Sequence, residues 1–153
     1  MRCTWLIPKR VDSVYDLGSQ ATNVENVRIK GMQKLRTIIV DDEPLALKLL
    51  RTVLSEIADI EIVAECSNGK QAVEAVSELE PELIFLDIQM PGMNGFDVIK
   101  SLQTDIMPMV VFVTAYDHYA VDAFDLHAVD YVLKPLDSER IARSVERAID
   151  RLK

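Results

Sequence analysis

From Arg36 onward the chain alternates short apolar runs with stretches whose apolar residues recur every three or four positions. Residues 37–40 (TIIV) form a continuous β-branched run that ends in Asp41, Asp42 and Glu43. Pro44 follows where the first turn of a helix tolerates proline. Ala46, Leu49, Leu50, Val53, Leu54 and Ile57 then fall at helical spacing on one face. Residues 60–64 read as a second strand. Asn68 and Gly69 open a helix with Ala72, Val73, Val76 and Leu79 inward, and Pro81 follows its end. Residues 83–86 (LIFL) are a third buried strand that runs into Asp87. A loop with Pro91, Gly92 and Gly95 leads to a short helix carrying Phe96, Ile99 and Leu102. Residues 109–113 (MVVFV) are a fourth strand that ends at Thr114. The pattern predicts a helix over 117–126 and a short fifth strand over 131–133. Asp137 can then cap a last helix lined by Ile141, Val145, Ala148, Ile149 and Leu152.

These are five βα units. Strands that are apolar throughout belong to a parallel sheet covered on both faces. Alternating βα order with right-handed crossovers gives a doubly wound α/β sandwich. Ligands of such folds bind outside the carboxyl ends of the strands. Residues 1–33 show neither period and read as a weakly ordered N-terminal extension. Residues 34–153 are then the folded domain.

Composition narrows the function. The 153 residues are 49% hydrophobic and 27% charged, the balance of one soluble domain. Cys3 and Cys66 lie far apart and form no C-x-x-C pair, which argues against a disulfide framework or a zinc site. No apolar run approaches the ~20 residues that span a bilayer, and no signal peptide is evident, so a cytoplasmic location is expected. The formal net charge is −8, with a net of +2 over residues 1–31 and of −10 over the remainder. So acidic a domain is poorly suited to gripping nucleic-acid phosphates, and no direct nucleic-acid binding is expected.

The chemistry sits at the strand ends. The first strand delivers Asp41 and Asp42, the third Asp87, the fourth Thr114 and the fifth Lys134. Three carboxylates gathered at one rim repel, and a cation must offset them. Mg²⁺ is the physiological match, a hard ion that takes oxygen ligands and often bridges to a phosphoryl oxygen. Lys134 supplies a compact positive charge and Thr114 a hydroxyl donor for two further phosphoryl oxygens.

The segments 38–44 (IIVDDEP), 86–95 (LDIQMPGMNG), 113–115 (VTA) and 130–135 (DYVLKP) resemble the receiver domain of bacterial two-component response regulators. The resemblance covers about residues 35–153 and implies a flavodoxin-like five-stranded parallel sheet of strand order 2-1-3-4-5. By that resemblance Asp87 is the phosphoacceptor. Asp41, Asp42 and Asp87 hold Mg²⁺ together with the backbone carbonyl of Gln89. Thr114 and Lys134 contact the phosphoryl group, Tyr131 is the aromatic switch, and Pro135 follows a cis bond. No motif position is degraded. The stretch 114–136 is similar, more narrowly, to receivers joined to LytTR-type DNA-binding domains, and such an output domain would begin after about residue 153.

The resemblance also implies a histidine kinase as phosphodonor, a conformational switch that controls an output, and no enzymatic turnover beyond the domain's own phosphorylation and dephosphorylation. Arg143, Arg147 and Arg151 form a stripe on the last helix, and Asp122 and Asp125 lie on the helix before it. A solvated face with pairs such as Glu139–Arg143 and a two-fold interface through both helices and the fifth strand are both open at this point. His118 and His127 are too sparse for a metal site. Met90, Met93, Met107 and Met109 read as loop or core filler, and Tyr116 and Tyr119 as helix-end aromatics or partner contacts. Two other classes remain. A phosphatase with an aspartyl nucleophile usually has a second acid two residues on, where this chain has Gln89. A flavin-binding module needs a phosphate-cradling loop after the first strand, where Asp41, Asp42 and Glu43 would repel phosphate.

Overall fold

Runs such as LIFL and MVVFV have no polar side to turn to water, so they pair in the middle of a sheet and bury both faces. The computed structural model describes residues 4–5, 33–105 and 107–152. Its elements are β1 (Thr4–Trp5), β2 (Leu35–Val40), α1 (Pro44–Ser55), β3 (Ile60–Cys66), α2 (Gly69–Leu79), β4 (Leu83–Leu86), α3 (Gly95–Ser101), β5 (Met109–Thr114), α4 (Ala120–Asp125), β6 (Asp130–Leu133) and α5 (Ser138–Leu152). The sheet order is β1-β3-β2-β4-β5-β6. The last five strands are parallel and stand in the expected order 2-1-3-4-5. β1 is an addition: Thr4 and Trp5 pair antiparallel with Glu65 and Ala64 at the β3 edge. Residues 1–3 and 6–32 of the expected extension, Cys3 among them, lie outside the described residues.

Alternate residues of each strand serve opposite faces. Ile38, Val40, Ile84, Leu86, Val110 and Phe112 pack with Ala72, Val76, Phe96, Ile99 and Ala123, so α2, α3 and α4 cover that side. Ile39, Leu83, Phe85, Val111 and Val132 pack with Leu50, Leu54, Ile141, Val145 and Ala148 of α1 and α5 on the other. Such side chains gain about 1.5–3 kcal/mol each on full burial.

The helix ends follow local chemistry. Pro44 stands in the first turn of α1. The Asn68 side chain accepts from Gln71 N to start α2, and Asn94 and Asp97 close a reciprocal capping box on α3. Asp137 accepts from Arg140 N at the start of α5, as expected.

Three expectations are corrected. Leu49 is exposed, and Leu47 packs against the core in its place. Leu152 is also exposed. The helix over 117–126 is shorter and begins at Ala120. The Tyr131 hydroxyl donates to the Tyr116 carbonyl, the acceptor that a helix starting at residue 117 would use for its first internal bond.

Candidate functional site

Register brings the acids together. Val40, Leu86 and Phe112 stand side by side across β2, β4 and β5, so Asp41 and Asp87 leave the sheet at the same level. Asp87 N donates to Val40 O at 3.1 Å, and Asp41 N donates to Cys66 O at 3.1 Å. Lys134 N donates to Thr114 O at 2.8 Å, which carries the lysine to the same rim. The Lys134–Pro135 peptide is cis, as the resemblance implied.

Carboxylate oxygens of Asp41, Asp42 and Asp87 all lie within 4.8 Å of one another. Asp41 and Asp87 are buried, at 3% and 5% exposure. Lys134 Nζ reaches Asp41 at 2.7 Å, Glu43 at 3.3 Å and Asp87 at 3.4 Å. Burial and the neighbouring Asp41 charge push the Asp87 carboxyl up to about 6, against the pull of Lys134. Burial and Asp41 raise Asp42 as well. Burial disfavours the Lys134 ammonium, but the hydrogen bond to Asp41 and the charges of Asp41 and Asp87 hold it above its usual value. One ammonium faces three clustered carboxylates and Glu43, so the cluster is short of positive charge. Oxygen donors in that condition fit a hard divalent cation.

Thr114 is fully buried at the end of β5, and its hydroxyl accepts from Tyr116 N at 3.3 Å. Tyr131 is half-buried, bonds through its hydroxyl to Tyr116 O, and accepts from Tyr119 N at 3.3 Å. Burial raises its phenol above the ordinary value. Gln89 is exposed two residues past Asp87. The structure thus collects Asp41, Asp42, Asp87 and Lys134 in one cluster, with Thr114 at the end of β5, Tyr131 in β6 and Gln89 on the loop after β4. A family model described as the response regulator receiver domain matches residues 37–146. The chain belongs to that family.

This receiver is 54% identical over 113 residues to a response regulatory protein of Yersinia pestis, covering 74% of this chain and 48% of that one. It is 48% identical over 113 residues to the transcriptional regulatory protein BtsR of Escherichia coli, covering 74% of this chain and 47% of that protein. Among solved structures, the response regulatory domain of mrkE from Klebsiella pneumoniae aligns with a TM-score of 0.71 at 32% identity, over 76% of this chain and 97% of that one. The chain spans about half the length of the curated relatives it matches. No helix among the described residues is long and apolar enough to cross a membrane.

Sequence reasoning missed three features of the receiver. Glu43 joins the Lys134 cluster, and its place in the acid run was the available signal. Asp130, quoted only as part of a motif, is buried and held by Arg140 and Arg147. Gly95 is a site residue through its missing side chain. A Cβ there would stand 2.5 Å from Asp87 O and 3.0 Å from Ile88 Cα, while Gly95 N donates to Ile88 O at 2.9 Å. Gly95→Ala is therefore expected to push the Asp87 backbone aside and destabilise the domain by about 1–3 kcal/mol. Denaturant unfolding measures it; an unchanged midpoint would show that α3 can retreat without disturbing the acceptor.

Proposed function

We propose that this receiver accepts a phosphoryl group on Asp87 from a partner histidine kinase and relays that event through Tyr131. The observation that carries the reading is the cluster at the sheet rim: three carboxylates within 4.8 Å and an ammonium 2.7 Å from Asp41 and 3.4 Å from Asp87. Asp41, Asp42, Asp87 and the Gln89 backbone carbonyl would hold Mg²⁺. When bound, the ion offsets negative charge on the carboxylates and on the phosphoryl oxygens.

Asp87 attacks phosphorus in line, an Asp87 O–P bond forms, and the P–N bond of the phosphohistidine breaks. Such transfer depends on positioning and charge stabilisation. Lys134 leaves its carboxylate partners to hold a phosphoryl oxygen, and Thr114 donates to another. The added group brings roughly −1.5 to −2 of charge. Drawing Thr114 toward it gives up the contact with Tyr116 N, in the same turn whose Tyr116 carbonyl accepts from the Tyr131 hydroxyl. The effect biases an existing two-state equilibrium. Water hydrolyses the acyl phosphate and resets the switch. The domain turns over no separate substrate.

The absence of a second acid at Gln89 supports this reading over a phosphatase, and the acid run after β2 supports it over a flavin module. The similarity to a transcriptional regulatory protein of which the match covers 47% supports a DNA-binding output that receives the signal, of LytTR type on the residues of 114–136, with no nucleic acid bound by the receiver itself. We place it in the cytoplasm, where its kinase would act. A two-fold contact through α4, β6 and α5 belongs to the same proposal. Its basis shifts from paired charges, since Arg147 binds Asp130 and Arg151 donates to His127 O, toward the exposed Val121 and Phe124. Light scattering with and without phosphodonor tests it, and an unchanged monomer mass would reject it.

The ion has its own test. Because the Asp87 carboxyl titrates at about 6 in the fold, above its value in the unfolded chain, its contribution to stability is fully present below pH ~4. As pH rises through 6 the metal-free protein loses about 2–3 kcal/mol. MgCl₂ should therefore raise the melting temperature at pH 7.5 and do little at pH 4.5. An increment independent of pH would place the ion elsewhere.

A further inference from the structure

Three contacts from separate parts of the chain converge on Tyr119, in the turn between β5 and α4. Its ring packs edge-on against Phe96 at 5.7 Å between centroids, and Phe96 packs on Phe112 of β5 at 5.1 Å. Its hydroxyl accepts a hydrogen bond from Gln89 Nε2 at 2.5 Å. Its backbone N–H donates to Tyr131 Oη at 3.3 Å, the oxygen whose proton goes to Tyr116 O. Gln89 is two residues past Asp87, on the loop that leads to Gly95. One residue therefore touches both the loop of the acceptor and the hydroxyl of the switch.

We propose that Tyr119 is a positioning residue that couples the Gln89 side chain to the orientation of Tyr131. The Gln89 bond ties the loop after β4 to the turn whose Tyr116 carbonyl holds the Tyr131 hydroxyl. Phe96 braces the Tyr119 ring from the core side, so a displacement of Gln89 must either carry the Tyr119 hydroxyl along or break the bond. Either event alters the backbone that donates to Tyr131 Oη. Gln89 thus acts through its amide as well as through its backbone carbonyl, and Tyr119 serves the switch as an internal strut. The inference deepens the proposed function and rests on its assignment of Asp87 as acceptor and Tyr131 as switch.

The test uses the full chain labelled with 3-fluorotyrosine. Its four tyrosines give four fluorine resonances, and Tyr131→Phe assigns the one that matters. Tyr119→Phe removes one hydroxyl and keeps the ring; Gln89→Ala removes the partner and keeps the backbone. Without phosphodonor, each variant should displace the Tyr131 resonance in the same direction, for about a threefold change in the ratio of outward to inward states. The double variant should go no further than the larger single one, because both remove the same bond. A Tyr131 resonance unmoved by Gln89→Ala, or additive shifts in the double variant, would overturn the coupling. The mass of the parent after phosphodonor treatment is read separately. A chain that takes up no phosphate refutes the Asp87 assignment, while the resonances recorded before treatment still decide the strut.

Discussion

Asp87→Asn is expected to lose all phosphoryl mass gain when treated with a small phosphodonor and Mg²⁺. The amide is neutral and a poor nucleophile, so the variant keeps the shape of the site and removes the attacking oxygen. The same substitution has a second, opposite effect on stability. It deletes a charge that burial and Asp41 disfavour, so the metal-free variant should be more stable than the parent at pH 7.5, by about 2 kcal/mol, with the gain vanishing near pH 4. Intact mass and thermal melts in chelator measure the two effects. A variant that takes up phosphate as readily as the parent would remove Asp87 from its role.

The largest loss of stability is expected from Asp130→Ala. Asp130 sits at the start of β6 with its side chain 4% exposed. Arg140 grips it with two hydrogen bonds, at 2.6 and 2.8 Å, Ser144 donates at 2.7 Å, and Arg147 donates at 2.9 Å. Burial works against this carboxylate, but the bonds from Arg140 and Ser144 outweigh it and hold the group down at about 2. Removing the acid strands the part-buried Arg140 guanidinium at the β6–α5 seam, while the exposed Arg147 returns to water, at a cost of about 3 kcal/mol or roughly 10 °C of melting temperature. The pH dependence has a fixed sign. A carboxyl lowered in the fold stabilises above its unfolded value, near pH 4, and that stability drains away as pH falls through 2. The parent should weaken along that interval, and the variant should lack this part of the slope. Equal stability of parent and variant at pH 7 would mean that the cluster is decoration on the surface of α5.

The sheet was legible because β4 and β5 are apolar along nearly their whole length and β2, β4 and β6 run straight into Asp41, Asp87 and Lys134. Asp41, Asp42 and Asp87 could be placed at one rim from strand ends alone, since parallel strands all present their carboxyl ends to the same side. Lys134 followed by the same logic. What escaped was set by contacts distant in sequence. The α4 start depends on the Tyr131 hydroxyl taking the Tyr116 carbonyl from fifteen residues away. Arg140, Ser144 and Arg147 share one face of α5 by their spacing, but only the burial of Asp130 beneath them turns that stripe into a clamp. β1 pairs with residues 61 and 59 positions further on, and two residues carry no period. The preference for Leu47 over Leu49 reflects how α1 sits on the sheet, which helical spacing alone does not specify.

Calorimetric titration of the metal-free chain with MgCl₂ at pH 7.5 should reveal one saturable site per chain that disappears when Asp41 and Asp42 are both replaced by asparagine. Heat of binding that survives their removal, or none in the parent, would contradict a Mg²⁺ site at the sheet rim.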